Sequence, residues 1–115
     1  MTTYRELYSL TELEEILQSS HAQPVLFFKH SNACPISLRA LGEFKHYLES
    51  AARPEVQHAL ITVQTAREVS NKLAELTGIQ HESPQVIIVR AGQPVWDESH
   101  LKLKSATLAA AAAQV

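Results

Sequence analysis

The chain has 115 residues, 45% hydrophobic and 19% charged, enough to bury one core, so the expectation is one domain over residues 1–115. Ten basic residues against twelve acidic ones leave a formal charge of -2, which argues against nucleic acid and anionic membrane surfaces as partners. The opening MTTYRELYSLTELEE carries acidic residues where a signal peptide needs a basic stretch followed by an apolar one, and no segment approaches membrane-spanning length, so the expected location is the cytoplasm.

In chain order the first signal is helical. Ser9 with Glu12 three residues on matches a capping box, and Leu10, Leu13, Ile16 and Leu17 recur at helical spacing, which predicts a helix over 10–19. PVLFFKH (24–30) is a short apolar run rich in strand formers, as expected of a strand buried on both faces. From Pro35, the positions Leu38, Leu41, Phe44, Tyr47 and Leu48 recur every three or four residues with charged side chains between them. This predicts an amphipathic helix that stops before Pro54.

VQHALITV (56–63) reads as a second strand. A helix over 66–76 follows, with Val69, Leu73 and Leu76 on one stripe and Gly78 placed as its C-terminal cap. SPQVIIVRAGQPVW (83–96) contains two strand-like runs around Ala91-Gly92, a hairpin signal, and Trp96 reads as a packing residue. The tail SATLAAAAAQV (105–115) combines high helix propensity with a weak apolar face, so it is either a docking helix or a frayed end. The order α, β, α, β, α, β, β, α predicts a mixed sheet, parallel early and antiparallel at the late hairpin, with helices on both faces. That α/β arrangement is the thioredoxin-like one, although the pattern also admits other small α/β sandwiches.

The only cysteine, Cys34, falls between the first of these strands and the longest helix. A single cysteine forms no internal disulfide, so redox chemistry here needs a second sulfur from another molecule. Pro35 suits the first helical position, and the free amides and positive dipole end of the helix favour thiolate over thiol at a residue placed there. Lys29 and His30 are near enough in sequence to add positive charge, and strand alternation directs at most one of them toward the thiol. The competing reading is a packing residue, since free cysteine is among the most buried residue types. Ser83-Pro84 opens a strand, and an X-Pro bond is where a cis peptide costs only ~0.5–1 kcal/mol. A cis bond there would turn the Ser83 backbone outward, beside the cysteine in a thioredoxin-like sheet, where it can pair with an extended substrate.

The six histidines show no paired ligand spacing and, with one cysteine, make no zinc site; they read mostly as surface or satisfied side chains. Three scattered glycines build no phosphate-cradling loop.

FKHSNACPIS, followed by a helix, a crossover and SPQVIIV, resembles the monothiol bacilliredoxin family, also called the YtxJ-like bacillithiol-system proteins. The family core reads K-H-S-x-x-C-P-I-S. Lys29, His30, Ser31, Cys34, Pro35, Ile36 and Ser37 fit it, while Ala33 stands where threonine is usual. The resemblance spans essentially the whole chain and implies a thioredoxin fold, Cys34 as the attacking residue, Pro35, Ser37, Lys29 and His30 in support, and Ser83 with Pro84 lining the substrate groove. It also implies an oxidoreductase with no tightly bound cofactor or metal, using bacillithiol as thiol co-substrate and bacillithiolated proteins as partners, with the oligomeric state open. Ser37 occupies the position of the second cysteine of C-x-x-C; its hydroxyl can hydrogen-bond a thiolate but cannot resolve a disulfide. Two other readings stand beside this one. One is an iron–sulfur module like the monothiol glutaredoxins, from whose C-G-F-S the residues Pro35 and Ile36 depart. The other is a non-catalytic adaptor or redox sensor.

Overall fold

The computed structural model describes residues 3–115. Its elements are β1 (Arg5–Glu6), α1 (Leu10–Ser19), β2 (Val25–His30), α2 (Pro35–Ser50), β3 (Gln57–Thr62), α3 (Arg67–Thr77), β4 (Gln85–Arg90), β5 (Gln93–Ser99) and α4 (Ser105–Ala113), with a 3-10 turn at His100–Lys102 before the last helix. The five strands form one sheet in the order β1-β3-β2-β4-β5. β1, β3 and β2 run parallel, whereas β4 is antiparallel to β2 and β5 to β4.

Local signals account for most boundaries. The Ser9 hydroxyl accepts the Glu12 N–H at 3.2 Å, and the Glu12 carboxylate accepts the Ser9 N–H at 3.0 Å, closing the box that starts α1. Gly78 ends α3 at φ 73, a left-handed conformation that carries no Cβ penalty in glycine. At the hairpin Ala91 (φ 52) and Gly92 (φ 78) are both left-handed, as a two-residue turn matching the sheet twist requires. The turn is docked on the end of α1, because the amides of Ala91 and Gly92 donate to the Ser20 carbonyl (2.8 Å) and hydroxyl (2.9 Å).

β2 is buried at all six positions, which follows from helices on both faces of the sheet. Val25 and Phe27 face a core with Leu13, Ile16, Val69 and Leu73 from α1 and α3. Leu26 and Phe28 face a second core with Phe44, Tyr47 and Leu48 of α2 and Leu108, Ala111 and Ala112 of α4. The alanine-rich tail is therefore a docking helix, and Trp96 packs against the same core. β1 is an element that sequence reading does not supply. Two residues are too few to show alternation, and the strand is fixed by pairing with β3 and by fully buried Leu7, whose amide donates to the Leu60 carbonyl at 2.9 Å. No helix of the described residues is long and apolar enough to cross a membrane.

Two of the histidines are core residues, and each has a hydrogen-bond partner, His30 in Ser37 and His58 in Tyr47, within the expectation of surface or satisfied side chains. His30 is 3% exposed and His58 4%. The Tyr47 hydroxyl is hydrogen-bonded to His58 Nε2 at 2.7 Å, and among the described residues His58 Nδ1 has no partner. Burial pushes the His58 pKa down to about 4, so the ring is neutral in the folded protein at pH 7. Because the folded value lies below the ordinary imidazole value of 6.5, the unfolded chain takes up the proton first as pH falls. Stability is expected to fall by about 3 kcal/mol between pH 6.5 and 4 from this group and to level off below. Burial lowers His30 and His81 as well, in the same sense. Urea midpoints measured across that range check this, and His58→Leu should flatten the decline; an unchanged slope in that variant would contradict it.

Candidate active site

Cys34 is the N-cap of α2, with extended backbone (φ -117, ψ 119), and Pro35 is the first helical residue. The helix ladder begins with the Leu38 N–H donating to the Cys34 carbonyl at 3.1 Å, which leaves the amides of Ile36 and Ser37 without a partner among the described residues, at the positive end of a sixteen-residue helix. The thiol is half-buried between exposed Ala33 and Pro35, and it makes no capping hydrogen bond. Such a position leaves the sulfur accessible to a partner molecule, beside the amides of the first helical turn.

The second wall comes from β4. Gln85 pairs with Lys29 in the register of β4 against β2, so Pro84, one residue earlier, lies beside the end of β2 from which the cysteine loop departs. The Ser83-Pro84 bond is cis. The Pro84 carbonyl accepts the His100 N–H at 3.0 Å, whereas the N–H and C=O of Ser83 enter no hydrogen bond among the described residues. Topology thus brings Cys34 and Ser83-Pro84 to one edge, with a backbone donor and acceptor free to meet an extended chain.

Ser37 is fully buried, and its hydroxyl is committed elsewhere than to the sulfur. It accepts the Ser31 N–H at 2.9 Å and is hydrogen-bonded to His30 Nδ1 at 2.8 Å. Serine here fastens the loop to the helix. The loop is also held from β3's side, because Gln64 donates from Nε2 to the Ser31 hydroxyl (2.9 Å) and accepts the Asn32 N–H (3.0 Å). Sequence reading passes over Gln64, since its partners are more than thirty residues away and no local pattern marks it.

Lys29 and His30 separate to opposite faces of the sheet. The His30 ring lies on the α2 side against Ser37, and burial holds it below the ordinary imidazole range, neutral at pH 7. Lys29 is fully buried on the α3 side, where its ammonium donates to the Ser70 carbonyl (3.0 Å) and lies 3.3 Å from His81 Nδ1. Burial alone lowers its pKa to about 8. The Lys29 ammonium therefore ties α3 to the segment leading into Ser83-Pro84, and the neutral His30 ring brings no charge to the α2 side. Among the described residues no cluster of three or more His, Cys, Asp or Glu side chains is placed to hold a metal ion.

One accessible sulfur at a helix N-terminus beside a cis-proline edge, on a five-stranded sheet with paired helices on either face, defines a thiol oxidoreductase of the thioredoxin fold. Solved structures agree. The chain is similar to a structure described as "a putative oxidoreductase with a thioredoxin fold", at 30% identity over 94% of this chain and 92% of that one, with a TM-score of 0.81. Thioredoxins of Fasciola hepatica (15% identity, 96% and 97% covered, TM-score 0.75) and Schistosoma mansoni (18%, 98% and 98%, 0.75) share the fold. Within that class the model of the monothiol bacilliredoxin family, BrxC, matches residues 5–108, and the chain belongs to this family.

Proposed function

We propose that the protein removes bacillithiol from mixed disulfides on client proteins, with Cys34 as nucleophile. The observation that carries this reading is the lone, half-buried thiol at the N-cap of α2 beside the free Ser83 backbone, with a buried serine where a second thiol would have to stand. The Cys34 thiolate attacks the bacillithiol sulfur of the mixed disulfide. The client sulfur leaves as thiolate and takes up a proton, and Cys34 is left disulfide-bonded to bacillithiol. With Ser37 unable to resolve that bond, a second bacillithiol attacks its own kind on Cys34, releasing bacillithiol disulfide and the Cys34 thiolate. The sum converts one mixed disulfide and one bacillithiol into one client thiol and one bacillithiol disulfide, so no bound cofactor is required. These steps belong in a reducing compartment, which fits a cytoplasmic location.

Family membership and the geometry at Cys34 support this over an adaptor, because an adaptor has no need of an accessible sulfur between orphan amides and a substrate-pairing edge. Turnover of a purified bacillithiolated client tests it. Without free bacillithiol, release is expected to stop after one equivalent per Cys34, and added bacillithiol should restore continuous turnover with ping-pong kinetics. Release of several equivalents with no thiol present would contradict a monothiol cycle.

A further inference from the structure

A groove of about 290 Å³ lies against the first turns of α2, walled by Ile36, Arg39 and Ala40 on one side and by His100, Leu103 and Lys104 on the other. It adjoins both halves of the site. Ile36 belongs to the helical turn that Cys34 caps, and the His100 N–H is the one that donates to the Pro84 carbonyl.

The charges in the groove are unbalanced. Arg39 and Lys104 are exposed, and among the described residues neither has an ion-pair partner. The one carboxylate in the wall, Glu43, accepts the Ser105 N–H at 2.8 Å at the start of α4 and keeps its charge, so the wall carries two cations against one anion. His100 Nε2 is turned toward Glu82, at 3.4 Å. On a chain of net charge -2, the groove therefore sets two cations that have no ion-pair partner among the described residues against one hydrogen-bonded carboxylate, beside Ile36, Ala40 and Leu103, a lining suited to a small molecule that carries carboxylates.

We propose that this groove holds the non-sulfur part of a low-molecular-weight thiol bearing carboxylates, with Arg39 and Lys104 as the carboxylate partners. The inference rests on the exchange function above and gives it a direction. Mixed disulfides on different clients have only their small-thiol half in common, so a fixed charged subsite is useful for that half alone. With the small thiol seated on the α2 side and the client chain along Ser83, the sulfur presented to Cys34 is that of the small thiol. The client sulfur is then the leaving group, and which sulfur is attacked decides the outcome of such an exchange.

Two substrates made from one cysteine peptide test the proposal, one disulfide-linked to mercaptosuccinate, with two carboxylates, and one to 2-mercaptoethanol, with none. Wild type should prefer the first. The ratio of kcat/KM for the charged over the neutral substrate should fall roughly tenfold in Arg39→Gln and in Lys104→Gln, mainly through KM, and also with added salt. Lys104→Arg should retain the ratio, as should Lys72→Gln on α3. Equal ratios in wild type and both glutamine variants, with both substrates still cleaved, would overturn the groove assignment and leave the exchange function standing. Cleavage of both substrates by Cys34→Ser at the wild-type rate would instead overturn the exchange function itself.

Discussion

Cys34→Ser is expected to slow release of bacillithiol from a client at least about a thousandfold, because a hydroxyl at neutral pH does not displace a thiolate from a disulfide and the chain contains no other sulfur nucleophile. The same variant should unfold within ~0.5 kcal/mol of wild type, since the thiol is half-buried and makes no capping hydrogen bond. The pair of measurements separates the two readings of a lone cysteine. A packing residue replaced by serine would leave a buried polar group and cost ~1–3 kcal/mol, with no special loss of exchange. Rates from adduct release and midpoints from urea titration decide it, and a stable variant that kept wild-type exchange would remove Cys34 from the mechanism.

Phe44→Ala carries the second large expected effect, a loss of about 3–5 kcal/mol of stability, a substantial part of the ~5–15 kcal/mol that holds a domain folded. Phe44 is fully buried on α2 and stacks on Phe28 of β2 with ring centroids 4.9 Å apart. It also contacts Tyr4, Tyr47 and His58 at centroid distances of 5.8 to 6.4 Å. Tyr47 and His58 are held to each other by a hydrogen bond and Phe28 is fixed in the central strand, so the space left by the phenyl group will not close fully. Because the ring joins α2 to the sheet, its loss also loosens the helix whose first turn carries the site, and exchange should fall along with the urea midpoint. Leu38→Ala on the same helix is the contrast. At 54% exposed it should change stability by no more than ~0.5 kcal/mol, and a comparable cost at both positions would contradict the packing described here.

How much of this was legible in the sequence depended on range. The start of α1, the cap at Gly78 and the turn at Ala91-Gly92 are set by residues within four positions of one another, and each is found where local chemistry puts it. The central strand and α2 are long enough for burial and periodicity to mark them. β1 is too short to mark itself, and the alanine tail has nearly the same character all round, so only the core beneath Leu108 and Ala112 decides that it docks. The site divides in the same way. Cys34, Pro35, Ser37 and the Ser83-Pro84 step sit in motifs that can be read along the chain. The clamp from Gln64, the tether from Lys29 to Ser70, and the charged groove of Arg39 and Lys104 join segments 32 to 65 residues apart, and no local pattern announces them.

The separation of Lys29 from His30 carries the same lesson. Alternation along β2 already required the two side chains to diverge, yet only the packing shows that the cation is held under α3 while the neutral ring meets Ser37. The KHS stretch thereby acts on the site through the backbone, fixing the loop before Cys34 and the segment before Ser83.

The central claim is that Cys34 takes the small thiol onto itself. Intact-mass and peptide mass spectrometry of a bacillithiolated client, incubated without free bacillithiol with wild type or with Cys34→Ala, tests it most directly. The expected result is a client stripped of its adduct and one bacillithiol added to the Cys34 peptide of the wild type, with the adduct remaining on the client in the variant. A client that kept its adduct with both proteins, or lost it equally to both, would contradict the account.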